Sequence, residues 1–216
     1  MTLRPKFAGS LLLTRGAGEE MEVLMGRRSS AHAFMPQRYV FPGGRVDRAD
    51  HFAAYSGDLD DRSREAMETV LSERRARAIA VAAIRETAEE TGHLIARRGQ
   101  MRSRHAAWEP FREAGAKPDL SGLTLIARAI TPPGRVRRFD AWFFRADISS
   151  VMCETGACSR EELEDVRWVD LQAARKLELP KVTHFVLGEL ERHIADPEAR
   201  PRHIRELARK VRLDTL

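Results

Sequence analysis

Residues 139–148, FDAWFFRADI, set the strongest constraint on the fold of this chain. In an extended segment Phe139, Ala141 and Phe143 fall on one face and Asp140, Trp142 and Phe144 on the other. The second half of such a strand is apolar on both sides, so its sheet needs helices above and below it. The chain supplies both kinds of element. KFAGSLLLT (6–14) and MEVLMGRR (21–28) predict strands joined by the turn RGAGEE, and RYVF (38–41) a short third one ended by Pro42 and the Gly43-Gly44 pair. TLIARAITPPG pairs with the opening strand as a hairpin around Pro132-Pro133-Gly134, and VRWVDL is a further strand. Residues 45–63 read as an irregular loop. Helices are expected near 64–72 and over 74–91, with Gly92 as a left-handed cap, then over LQAARKL behind Asp170 and over KVTHFVLGELERHI. In the last stretch, RPRHIRELARKVRL, residues Ile204, Leu207, Ala208 and Val211 recur at helical spacing, so 198–216 reads as a basic helical tail. The sum is one α/β domain over 1–216.

Composition removes several classes of function. Of the 216 residues 43% are hydrophobic and 32% charged, a globular and not a disordered balance. No apolar run is long enough to cross a bilayer, and AGSLLLT near the start is too short for a secretory leader, so a cytoplasmic protein is expected. The net charge of +5 arises from 37 basic and 32 acidic residues, with arginine and glutamate interleaved on helices. That pattern is a solvated face, not a nucleic-acid surface, and it suits a small anionic substrate. Cys153 and Cys158 are too few for a zinc site and are expected to be two buried thiols.

Chemistry concentrates in RETAEETGHL, residues 85–94. At about 100° per residue Glu86, Glu89 and Glu90 share one side of the helix just before it ends. Like charges one turn apart repel, and the helix C-terminus already disfavours negative charge. A hard divalent cation held by carboxylate oxygens resolves both conflicts, with Mg²⁺ the natural ion and Mn²⁺ a substitute. Arg85 is placed to orient one glutamate through a bidentate contact. A plain salt-bridge ladder on a surface helix is the competing explanation. The clustering at the helix end, the glycine behind it and the upstream FPGG favour a site.

Taken together, these residues resemble the Nudix hydrolase signature: glycine, five residues, glutamate, seven residues, then Arg-Glu-apolar-any-Glu-Glu-any-Gly-apolar. Arg85, Glu86, Glu89, Glu90 and Gly92 match it, Gly44 matches the opening glycine, and Asp50 stands where the first glutamate is expected. Residues 51–84 then occupy a gap that should hold seven, so FPGG and RETAEETG read as halves of one box interrupted by an insertion over 51–73. The resemblance implies an α/β/α sandwich with a mixed β-sheet. It also implies hydrolysis of a nucleoside diphosphate linked to another group, with Glu86, Glu89 and Glu90 holding the metal. Glu89, Glu161, Glu162 and Glu164 are candidate bases, and Gly43 and Gly44 let the backbone approach the phosphates. Arg28 and Arg138, with Arg27, Arg135 and Arg137, are candidate phosphate contacts.

Upstream, LMGRRSSAHAFMPQRYVFPGG fits the spacing of the added signature of coenzyme A diphosphatases at Leu24, Arg28, Ser29 and FPGG, and departs from it at Ala33 and Gln37. Coenzyme A or an acyl-CoA is therefore one candidate substrate beside ADP-ribose, NADH and dinucleoside polyphosphates. The alternative is a Nudix-fold module that senses a nucleotide without cleaving it, motivated by the replaced glutamate. The partner expected is a small nucleotide derivative, with no nucleic acid and no membrane. A homodimer is expected from the apolar stripes of the last two helices.

Overall fold

The two-faced strand, β8 (Phe139–Asp147), lies in the middle of the main sheet of the computed structural model, which describes residues 3–30, 36–155, 162–207 and 210–216. Trp142 and Phe144 bury among Leu11, Leu13, Ile79 and Ile84 on one face. Phe143 buries with Leu12, Ile126, Val186 and Leu190 on the other. The main sheet is built from β1 (Lys6–Arg15), β2 (Glu22–Arg28), β7 (Thr124–Ile130), β8, β10 (Leu163–Asp170), β11 (Arg202–Leu207) and β12 (Lys210–Thr215). Its order is β10-β2-β1-β8-β7-β11-β12, with the short β3 (Tyr39–Val40) on β2 and β4 (Gly43–Arg45) on β1. β1 runs parallel to β8 and β11 parallel to β7, while the other pairs are antiparallel. The sheet is mixed, and the architecture is the expected α/β one.

Helix α2 (Glu73–Thr91) covers one face and α5 (Lys181–Ala195) the other. α2 approaches β1 at Gly9, where a Cβ would stand 2.3 Å from the carbonyl oxygen of Ile79. Only glycine permits that separation. Gly92 ends α2 at φ 76°, its N–H bonded to the Ala88 carbonyl. Asp170 caps α4 (Leu171–Lys176) by accepting from the Ala173 N–H at 2.8 Å. A second sheet, β6-β5-β9, is made of β5 (His93–Arg98), β6 (Ala116–Pro118) and β9 (Val151–Glu154), with α3 (Glu109–Glu113) beside it.

Two expectations along the chain change. The stretch before α2 is more ordered than its polar text suggests: a 3-10 turn at Ala49–His51 precedes α1 (Asp61–Glu68). Asp60 caps α1 by accepting from the Ser63 N–H, and Leu59, Met67 and Leu71 enter the core. β3 ends at Val40 ahead of Pro42, as expected, but the glycine pair then opens a further strand, β4, where Gly43, Gly44 and Arg45 pair with Ser10, Gly9 and Ala8.

The tail expected as a helix over 198–216 is an antiparallel hairpin, β11 with β12. Helical spacing in a short apolar pattern does not exclude a strand, and β7 offers an open edge whose backbone groups need partners. Ile204 packs on the α5 face, and Arg202 reaches Glu189 of α5, which is 2% exposed and also bound by Arg192. The apolar stripe that motivated a second copy of the chain is thus partly used within it. Cys153 is free and half-buried, not buried as expected, and Cys158 lies outside the described residues.

His203 on β11 is 6% exposed, and its Nε2 has no hydrogen-bond partner among the described residues. Burial, with Arg128 adding to it, pulls its pKa down to about 4, and burial lowers that of His193 as well. The unfolded chain then binds a proton near pH 6.5 that the folded chain refuses. Stability is therefore full above pH 6.5 and falls as pH drops toward 4, by about 3 kcal/mol at most from His203. Urea midpoints taken between pH 7 and 4.5 should show this slope, and His203→Gln should flatten it.

Candidate active site

The last turn of α2 meets β4 and the Ala49–His51 turn at Arg85. Its Nε donates to Asp50 Oδ1 at 2.8 Å and its Nη2 to Asp50 Oδ2 at 3.1 Å. Nη2 also donates to the Arg45 carbonyl at 3.1 Å, and Nη1 reaches Glu86 at 2.9 Å and Glu89 at 3.0 Å. Asp50 is 3% exposed and also accepts from the Asp47 N–H at 2.7 Å. The paired contact expected between Arg85 and a glutamate is therefore made to Asp50, and each glutamate receives a single contact. Burial opposes the charge on Arg85, but Asp50, Glu86 and Glu89 outweigh it and raise its pKa. The guanidinium stays charged and fixes three segments to one another.

Beyond Arg85 the carboxylates divide. Glu90 is 6% exposed, and its Oε2 accepts from the Gly43 N–H at 2.9 Å. Glu86 lies against Gly44, where a Cβ would fall 2.5 Å from the carboxylate. Gly43, at φ 153°, would drive a Cβ to 2.3 Å from Ser10 Oγ. Gly43 is required by close approach, since the Gly9 carbonyl oxygen also lies 2.6 Å from that Cβ, whereas a Cβ at Gly44 would push the Glu86 carboxylate aside. Glu162, at the foot of β10, joins Glu86 and Glu90: one carboxylate oxygen from each lies within 4.8 Å of the others. Glu89 lies outside this group and is partly exposed, in contact with Arg85.

Electrostatics oppose ionisation of Glu86 and Glu90 side by side. Burial, opposed by Arg85 and reinforced by Glu89, pushes the Glu86 carboxyl up to about 7. Burial and then Glu86 raise Glu90 well above the carboxylate range, while Gly43 and Arg28 oppose. Arg28 on β2 is pulled down by burial and sustained by the charges of Glu90, Glu162 and Glu86. Three converging oxygen donors with a surplus of negative charge fit a hard divalent cation, and the glycine cradle leaves the carboxylates clear of side chains. The trio opens into a cavity of about 720 Å³ that Arg28, Gly43 and Gly44 also line.

Solved structures share this arrangement of elements. A Nudix hydrolase from Alicyclobacillus acidocaldarius is 27% identical to this chain, covers 89% of it and 96% of its own length, and superposes with a TM-score of 0.66. The chain has the Nudix hydrolase fold. The Nudix domain of Shewanella oneidensis NrtR complexed with ADP ribose (13% identity, 89% of this chain, 90% of that one) and a MutT Nudix hydrolase from Burkholderia pseudomallei (15%, 87% and 99%) each superpose with a TM-score of 0.50. They share its fold. No protein-family model matches the sequence, and no curated protein does.

The Nudix fold brings some of the sequence-expected residues together and leaves others apart. Glu86, Glu90, Gly43, Gly44 and Arg28 converge, with Arg85 behind them. Arg138 does not line the cavity: it donates to the carbonyls of Thr131 and Leu3, whereas Arg135 and Arg137 do line it. Glu164 pairs with Arg27 at 3.5 Å, and Glu161 lies outside the described residues. Sequence reasoning named Glu162 only among candidate bases, because nothing local links residue 162 to the end of α2. Its position follows from β10 pairing with β2, where Leu163 lies opposite Arg28.

Proposed function

We propose that this Nudix-fold chain is a Mg²⁺-dependent diphosphatase, with Mn²⁺ as a substitute, that splits a nucleoside diphosphate linked to another moiety. The observation that carries this reading is the meeting of Glu86, Glu90 and Glu162 on the wall of a cavity that Arg28 and the double glycine also line. A cation bound by these three residues supplies charge neutralisation at phosphorus and a more acidic water. Arg28 faces the same carboxylates and is placed to contact a diphosphate oxygen. Gly43 and Gly44 let the backbone approach the phosphates without a side chain between.

Glu89 differs from the trio because its carboxylate stands outside the converging group and remains partly exposed, with Arg85 in contact. It is the group best placed to take a proton from water, and Arg85 is its positioning residue. Coenzyme A or an acyl-CoA is the candidate substrate supported by Leu24, Arg28, Ser29 and FPGG, in the cytoplasm. Residues 51–73 are the proposed insertion in the Nudix box, folded against α2 through Met67 and Leu71.

The pure protein incubated with Mg²⁺ and a panel of ADP-ribose, NADH, coenzyme A, acyl-CoA and diadenosine polyphosphates is expected to release a mononucleotide from at least one of them, and EDTA should stop it. Tight nucleotide binding with no turnover on any member would instead make the protein a nucleotide sensor.

A further inference from the structure

The carboxylates Glu86 and Glu90 line the 720 Å³ cavity beside β4, and its lining continues across the strands of the main sheet as a trough. A single ladder crosses its floor. Arg45 on β4 pairs with Ala8 on β1, Ala8 with Ala141 on β8, Ala141 with Ala129 on β7, and Ala129 with Ile204 on β11. All five residues line the cavity. Four inter-strand steps of about 4.8 Å make this floor roughly 19 Å long. Its three central side chains are single methyl groups, which leaves a channel between bulkier liners such as Phe143 and Val182.

Few polar groups serve the floor. Thr131 and Thr183 line the cavity, and Arg205 is paired through Nη2 with Asp214 at 2.9 Å, while its buried Nε has no hydrogen-bond partner among the described residues. Arg135, Arg137 and Lys181 are exposed liners that keep their charges in water. A sugar or a second polyphosphate laid along Ala8, Ala141 and Ala129 would lose hydration over three methyl groups that offer no hydrogen bond, whereas a hydrocarbon chain gains by the same transfer.

We propose that the trough seats the group attached to the second phosphate, and that this group is a long apolar chain. The preferred substrate class is then a nucleoside diphosphate ester bearing an alkyl or acyl chain, in place of the amide-bearing arm of coenzyme A, an inference that rests on the diphosphatase reading above. Water adds to one phosphorus, the bond from that phosphorus to the bridging oxygen breaks, and the proton of water leaves to a base. The products are a nucleoside monophosphate and the phosphate of the chain.

Adenosine diphosphate esters of straight-chain alcohols, from about two to sixteen carbons and kept below their micelle concentrations, test this directly. With Mg²⁺ present, kcat/KM is expected to rise about two- to fourfold per methylene. The rise should level off once the chain overruns a floor of roughly 19 Å. Ala129→Trp should move that plateau to shorter chains, and Ala129→Leu should move it less, with melting temperatures confirming that both variants fold. A flat chain-length profile, or ADP-ribose cleaved as efficiently as the long esters, would overturn the proposal. If no ester and no ADP-ribose is cleaved, the diphosphatase reading fails. Calorimetric affinity for the esters then decides separately: affinity rising with length supports the trough, and affinity independent of length refutes it.

Discussion

Glu90→Gln is expected to lower metal-dependent turnover by about a thousandfold while leaving the fold intact. The loss follows from the several kcal/mol that a bound cation supplies to transition-state charge, at about 1.4 kcal/mol per tenfold. Stability moves the other way. The glutamine oxygen still accepts from the Gly43 N–H, and the carboxyl whose ionisation burial and Glu86 oppose is gone. Without metal, the variant should melt at the same temperature as the wild type or higher, the signature of a site that trades stability for function. Glu86→Gln should behave alike, because its carboxyl too is pushed up by burial. Steady-state rates and melting curves on the same samples check both halves. A variant that loses activity only because it unfolds would show the opposite melting shift.

Asp50→Ala is expected to cost about 3–5 kcal/mol, the largest stability effect of a single substitution near the site. Asp50 is the partner that lets Arg85 stay charged inside the protein, through two hydrogen bonds and no exposed side-chain surface. Removing it leaves a guanidinium buried with only the carbonyl of Arg45 and single contacts to Glu86 and Glu89. The double variant Asp50→Ala with Arg85→Met removes the stranded charge as well. It should recover part of the stability and none of the activity, since Glu86 and Glu89 would lose the group that orients them. Denaturant titrations of the two single variants and the double complete the cycle. Additive single-variant costs would show that the two side chains do not act as a pair.

The fold was legible where a residue pattern admits one local solution. Alternation through Phe139–Phe144 requires two covered faces, and both appear, with Trp142 and Phe144 against α2 and Phe143 against α5. Gly92 and Asp170 mark their helix ends through chemistry carried within a few residues. The hairpin of β11 and β12 was not legible, because Ile204 and the residues after it satisfy a helical period as well as a strand. The open edge of β7 decides between them. The second sheet was missed for a related reason: β6 and β9 are too short to carry a period of their own.

Half of the site could be read in the same way. Glu86 and Glu90 announce themselves as charges crowded at a helix end, and the double glycine as a bend with no room for side chains. Their third companion, Glu162, is set by strand pairing far along the chain. Asp50 was visible only as a substituted signature position. Its role became clear once the Ala49–His51 turn placed it against Arg85.

Titration of the metal-free protein with Mn²⁺, followed by the loss of its free-ion paramagnetic resonance signal, tests most directly whether the three carboxylates form a cation site. Saturable binding that Mg²⁺ competes away, and that Glu86→Gln, Glu90→Gln and Glu162→Gln each weaken at least tenfold, is the predicted result. Binding left unchanged by all three substitutions, or no binding by the wild type at millimolar Mn²⁺, would contradict it.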